Sequence, residues 1–105
     1  MTGRIAVTDA AREAIARLEE VHGRLMFFQS GGSCDGSSPL CLREGELVLG
    51  PHDRLLGEAA GMPVYIDEEQ DVRFGRPEFV LDVASGPASE FSLEGSEGVH
   101  FILRP

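Results

Sequence analysis

Arg24-Leu25-Met26-Phe27-Phe28-Gln29-Ser30-Gly31-Gly32-Ser33-Cys34-Asp35-Gly36-Ser37-Ser38-Pro39 sets a nearly continuous apolar run against a run of glycine, serine and one cysteine. The first half, Arg24 to Ser30, has the length and residue types of a strand covered on both faces. The second half breaks it. Glycines at 31, 32 and 36 let the backbone turn tightly and come close to a bound group. A buried strand followed by such a loop predicts a rigid base carrying an exposed thiol.

Working outward toward the N-terminus, Ile5-Ala6-Val7 is a short apolar run suited to an edge strand. Thr8 or Asp9 then offers a side-chain oxygen to the free N–H groups of a helix. Ala11, Ala14, Ile15, Leu18 and Val21 recur at spacings of three and four, predicting an amphipathic helix from Asp9 to Val21. Gly23 is free to end it. Toward the C-terminus, strands are expected at Glu46–Leu49, Arg54–Glu58, Pro63–Ile66, Glu78–Ala84, Phe91–Leu93 and Val99–Leu103, with room for one or two helical turns over 67–74. The expectation is an α+β fold: a small sheet-rich mixed domain with one N-terminal amphipathic helix, a single domain over residues 1–105.

Composition narrows the partners. The net charge is −9 and every basic residue is arginine. Such a field repels phosphate backbones and anionic headgroups, so neither nucleic acid nor a membrane is expected. No apolar run is long enough for a signal peptide or a membrane span, which points to the reducing cytoplasm. Two cysteines there are expected as thiols or ligands rather than as a structural disulfide. Strand edges left by a short sheet-rich domain make a homodimer an expectation as well.

The chemistry is expected in the loop. Gly31, Gly32, Ser33, Cys34, Asp35 and Gly36 form the candidate ligand-binding set. Backbone N–H donors beside a thiol lower its pKa and make it a better nucleophile and metal ligand. Cys41 lies seven residues further on, a spacing that is neither a zinc-ribbon half nor a thioredoxin-type motif. No Gly-Lys-Ser/Thr follows the glycines, which excludes a nucleotide P-loop. Cys34, Cys41 and His100 are the candidate metal ligands; His100 alternates with Val99 and Phe101 and faces away from both. His22 suits the end of a helix, where a cation meets the dipole. His52 falls in a Gly-Pro-His-Asp turn. The alternative for the loop is a plain connection with two small, semi-buried cysteines.

Two resemblances extend these readings. Phe27 to Pro39, Leu56-Gly57-Glu58, the Gly-Met-Pro-Val-Tyr-Ile run at 61–66 and Phe91-Ser92-Leu93-Glu94 resemble the bacterial family called domain of unknown function 779, over nearly the whole chain. Members of that family accompany aldehyde dehydrogenases, so the resemblance implies an accessory role in aldehyde or alcohol metabolism and an aldehyde dehydrogenase as partner. The order of Thr8-Asp9-Ala10-Ala11, helix, apolar strand and Gly-Gly-Ser-Cys-x-Gly is also similar to the HesB-like A-type iron–sulfur carriers. That likeness implies a HesB-like fold, and a transition metal or iron–sulfur species at Cys34. The C-terminal Cys-Gly-Cys of those carriers is absent, since the chain ends His100-Phe101-Ile102-Leu103-Arg104-Pro105. Three functions follow: an accessory protein holding a metal or other ligand through Cys34, a non-catalytic interaction or regulatory module, and a cysteine-dependent enzyme. The last needs a base within hydrogen-bond reach of Cys34, and none is near in sequence; a non-enzyme is expected.

Overall fold

A computed structural model of the chain describes residues 3–29, 38–88 and 92–105. The amphipathic helix forms as α1, Asp9–His22. Thr8 caps it: its hydroxyl accepts from the Ala11 N–H at 3.1 Å and donates to Asp82 Oδ1 at 2.8 Å. Gly23, at φ 84°, closes the other end through its N–H to the Glu19 carbonyl. Ala11, Ala14, Ile15 and Leu18 are buried. Val21 keeps the helical spacing but stands 74% exposed, because the helix outruns the core in its last turn.

Two sheets share that core. One has the order β1-β6-β7, with β1 Ile5–Val7, β6 Phe79–Ser85 and β7 Val99–Arg104. The other has the order β3-β2-β5-β4, with β2 Leu25–Gln29, β3 Leu40–Arg43, β4 Asp53–Ala59 and β5 Met62–Asp67. β1 pairs parallel with β6, and β2 parallel with β5; the other neighbours are antiparallel. This is the α+β architecture expected. The Phe27 and Phe101 rings, one from each sheet, meet edge to face at 4.9 Å. The sheets join at a seam where Gly3 bridges Gly57 and the Arg4 N–H donates to the Leu56 carbonyl at 2.8 Å.

β2 is the central strand the sequence predicts: Leu25, Met26, Phe27 and Gln29 are buried. Two expected strands are not formed. The antiparallel partner of β2 is Leu40–Arg43, and Glu46–Leu49 forms no strand. The Arg43 N–H donates to Glu46 Oε1 at 2.8 Å and the Glu46 N–H to the Arg43 carbonyl at 3.0 Å. This turn takes the backbone out of strand geometry and leaves Val48 91% exposed. Phe91 lies outside the described residues, and Leu93–Glu97 is a short 3-10 helix with Ser92 ahead of it. The helical turns expected over 67–74 form as α2, Glu68–Arg73, capped by the Asp67 carboxylate.

Candidate functional site

The candidate loop set, Gly31, Gly32, Ser33, Cys34, Asp35 and Gly36, lies outside the described residues. Its flanks are defined. Phe28 and Leu40 face each other across β2 and β3, and Pro39 is buried. The chain therefore leaves and re-enters one antiparallel pair, at the end of β2 where Gln29 stands beside Ile66.

Cys41 pairs in register with Phe27 and is 0% exposed within the core. Burial, and secondarily the negative charge of Glu94, push its thiol far above the ordinary value of 9.0. A thiol held protonated in hydrocarbon is neither a nucleophile nor a ligand. His100 sits on β7 opposite Ala84. Its neighbour Phe101 faces the core, so the imidazole points to the other face. There it packs on Gly86, where an added Cβ would stand 3.4 Å from both Nδ1 and Cε1, and its buried Nδ1 has no hydrogen-bond partner among the described residues. Cys41 and His100 are therefore on opposite sides of sheet surfaces and do not converge. Among the described residues no three His, Cys, Asp or Glu side chains are grouped to hold a metal. A shared centre drawing on Cys41 and His100 does not fit.

The structure adds a buried polar array that the sequence does not single out. The Ser92 hydroxyl accepts the Cys41 backbone N–H at 2.7 Å and donates to Glu94 Oε1 in a short hydrogen bond. Glu94 Oε2 accepts the Phe101 backbone N–H at 3.0 Å. Glu94 is 1% exposed and Ser92 7%. One carboxylate thus ties β3 of one sheet to β7 of the other. Each oxygen of the carboxylate accepts a hydrogen bond from the protein itself, so the array holds structure. In the sequence Glu94 is one of eighteen acids, and only the Phe91-Ser92-Leu93-Glu94 run that carries the family resemblance sets it apart.

The end of β2 and β5 gathers further polar groups. A shallow cavity of about 450 Å³ is lined by His52, Asp67, Glu68, Glu69 and Val72. Its carboxylates are already engaged. Asp67 accepts from the Glu69 and Gln70 N–H groups at 2.8 and 3.3 Å. Arg54 reaches Glu68 at 3.1 Å, and Arg73 reaches Glu69 at 3.1 Å. His52 Nδ1 stands 4.0 Å from Glu68 Oε2 with its side chain 77% exposed. Among the described residues, this exposed imidazole is the ionisable group of the cavity without a short contact. His22 is taken up by Arg43, whose Nη2 lies 3.2 Å from its Nδ1.

No helix among the described residues is long and apolar enough to cross a membrane. Residues 14–105 match a protein-family model described as a domain of unknown function (DUF779), in keeping with the first of the two resemblances; the likeness to HesB-like carriers has no such support. Comparison with curated proteins yields no match.

Proposed function

This chain belongs to the DUF779 family, and from the fate of its two thiols we propose that it is a small accessory protein that holds a soft ligand through Cys34 without turning it over. The observation that carries this is the sealing of Cys41. Of two cysteines in the chain, that one is fully buried and held protonated. The chemistry of a thiol is left to Cys34, set among Gly31, Gly32, Ser33, Asp35 and Gly36.

The ligand class follows from sulfur. A thiolate favours soft transition-metal ions and electrophilic carbon such as an aldehyde carbonyl. A metal would draw one thiolate from this chain, and Cys41 and His100 are not its partners. The strand end that the loop leaves also carries His52, just ahead of β4. A non-catalytic role is favoured because the buried carboxylate of Glu94 is committed to Ser92 and Phe101, and so is not a general base. The family resemblance supplies the expectation of an aldehyde dehydrogenase as the protein served, in a reducing compartment such as the cytoplasm.

Thiol alkylation of the native protein, read by mass spectrometry, tests this. One modification is expected, at Cys34, with Cys41 reacting only after denaturation. Metal content and aldehyde adducts measured on the same protein distinguish the two ligands. Cys34→Ser is expected to abolish whichever is found, and Cys41→Ala to leave it in place. Native Cys34 that stays unmodified, in protein free of metal and adduct, overturns the proposal.

A further inference from the structure

We infer that the cleft between β1 and the turn from β4 to β5 binds the zwitterion of a small apolar α-amino acid. The cleft holds about 440 Å³ and is lined by Ile5 and Val7 of β1, Arg12 of α1, Glu58 of β4, and Ala60 and Gly61 of the turn. Its walls are set by the fold. β1 is held along one edge by β6. Its other side meets β4 at the Gly3–Gly57 bridge and the hydrogen bond from the Arg4 N–H to the Leu56 carbonyl, beyond which the cleft opens. Ala60 and Gly61, at φ 53° and 82°, turn the chain tightly from β4 into β5. A Cβ added at Gly61 would meet nothing within 4 Å, so this wall leaves room.

Three groups on these walls are uncommitted. The Arg4 carbonyl accepts the Phe79 N–H and the Thr8 N–H donates to the Leu81 carbonyl, so alternate residues of this stretch bond to β6. Val7 falls between them and turns its N–H and C=O to the open edge of β1, where no described residue takes them up. Arg12 makes no ion pair and no side-chain hydrogen bond among the described residues, although the chain carries eighteen acids to nine bases. Glu58 is equally free of partners among them. A cation and an anion thus line one cavity without meeting each other.

A ligand that answers both carries a carboxylate and an ammonium. Arg12 and the Val7 N–H donate to the carboxylate, while Glu58 and the Val7 carbonyl accept from the ammonium. The rest of the lining named above, Ile5, Val7 and Ala60, is apolar and suits a short hydrocarbon side chain. Charge selects against simpler ligands. The net charge of −9 opposes the approach of a bare carboxylate. A bare ammonium is drawn to acids over the whole surface and leaves Arg12 unanswered. The zwitterion is neutral overall and uses both ends.

An amide NMR titration of the isotopically labelled full chain with L-valine tests this. Saturable shifts are expected at Val7, Glu58, Ala60 and Gly61, with a Kd of about 1 mM or lower. Isovalerate, which is valine without the ammonium, and isobutylamine, which is valine without the carboxylate, should each bind at least about tenfold more weakly through the loss of charge-assisted contacts. Arg12→Gln and Glu58→Gln each remove one charge from an exposed position. Each is expected to weaken valine binding at least about tenfold, with the thermal midpoint kept. The inference is overturned if these amides do not shift by about 10 mM valine, or if either truncated ligand binds as well as valine. Valine binding that both variants leave unchanged overturns it too. Alkylation of Cys34 is a separate readout, so failure here leaves the thiol proposal standing, and the converse holds.

Discussion

Cys41 is small, apolar in its protonated form and bonded through its backbone N–H to Ser92. Those properties suit a packed strand and remove it from chemistry. They also make stability depend on pH in a defined direction. In the unfolded chain the thiol ionises as pH passes its ordinary value of 9.0, while the folded chain keeps the proton. The folded state then binds more protons, so the contribution is fully present below about pH 9 and is lost as pH rises beyond it. The chain contains no lysine to obscure the effect. Urea midpoints measured from pH 8 to 11 are expected to fall, and the thiol's share of that fall should vanish in Cys41→Ala. That variant loses about 1 to 2 kcal/mol at pH 7 through the small cavity it leaves. Cys41 and His100 were legible in the sequence as candidate residue types. The burial of the Cys41 thiol was not, because exposure of a thiol depends on what other strands bring against it.

Among the elements, α1 and β2 followed directly from spacing and apolar run, since both signals lie within a few neighbouring residues. The run Glu46–Leu49 misled for the opposite reason. Its apolar residues carry no alternation, and a turn locked by Arg43 and Glu46 sits at its start. The 3-10 helix at Leu93–Glu97 is held by what its residues bond to far away in the chain. Ser92 and Glu94 reach Cys41 and Phe101, contacts that no local pattern announces. Glu94→Ala leaves the Phe101 N–H and the Ser92 hydroxyl without their acceptor in a buried place. A loss of about 2 to 3 kcal/mol is expected in denaturant unfolding. Glu94→Gln keeps the shape and one acceptor, so its loss should be smaller. If the two variants lose equally little, the carboxylate does not hold the sheets together.

Across the whole molecule, the seam at Gly3 decides how the sheets sit. Gly3 has φ +81°, and a Cβ added there would stand 2.2 Å from the Leu56 carbonyl oxygen. Beside it, Arg4 bonds Asp71 at 3.0 and 2.6 Å and the Pro77 carbonyl at 3.0 Å, while its own carbonyl accepts the Phe79 N–H at 2.8 Å. The chain start thereby ties β4, α2 and β6 into one body. Gly3→Ala meets backbone that cannot yield cheaply and a φ that alanine adopts poorly. A loss of more than about 2 kcal/mol is expected, seen as a lowered thermal midpoint. Gly23→Ala, with open space around its Cβ, should lose less.

The amino-acid sequence alone determined the class of fold, the amphipathic helix, the central strand and the charge balance. Each is written in residue type or in periodicity over a few positions, where backbone geometry maps sequence directly onto shape. The tertiary structure alone decided that Cys41 is sealed, that Cys41 and His100 do not meet and that Glu94 joins two sheets. Those facts depend on pairing between strands distant along the chain. Burial and electrostatic environment come into being only when such strands close against one another.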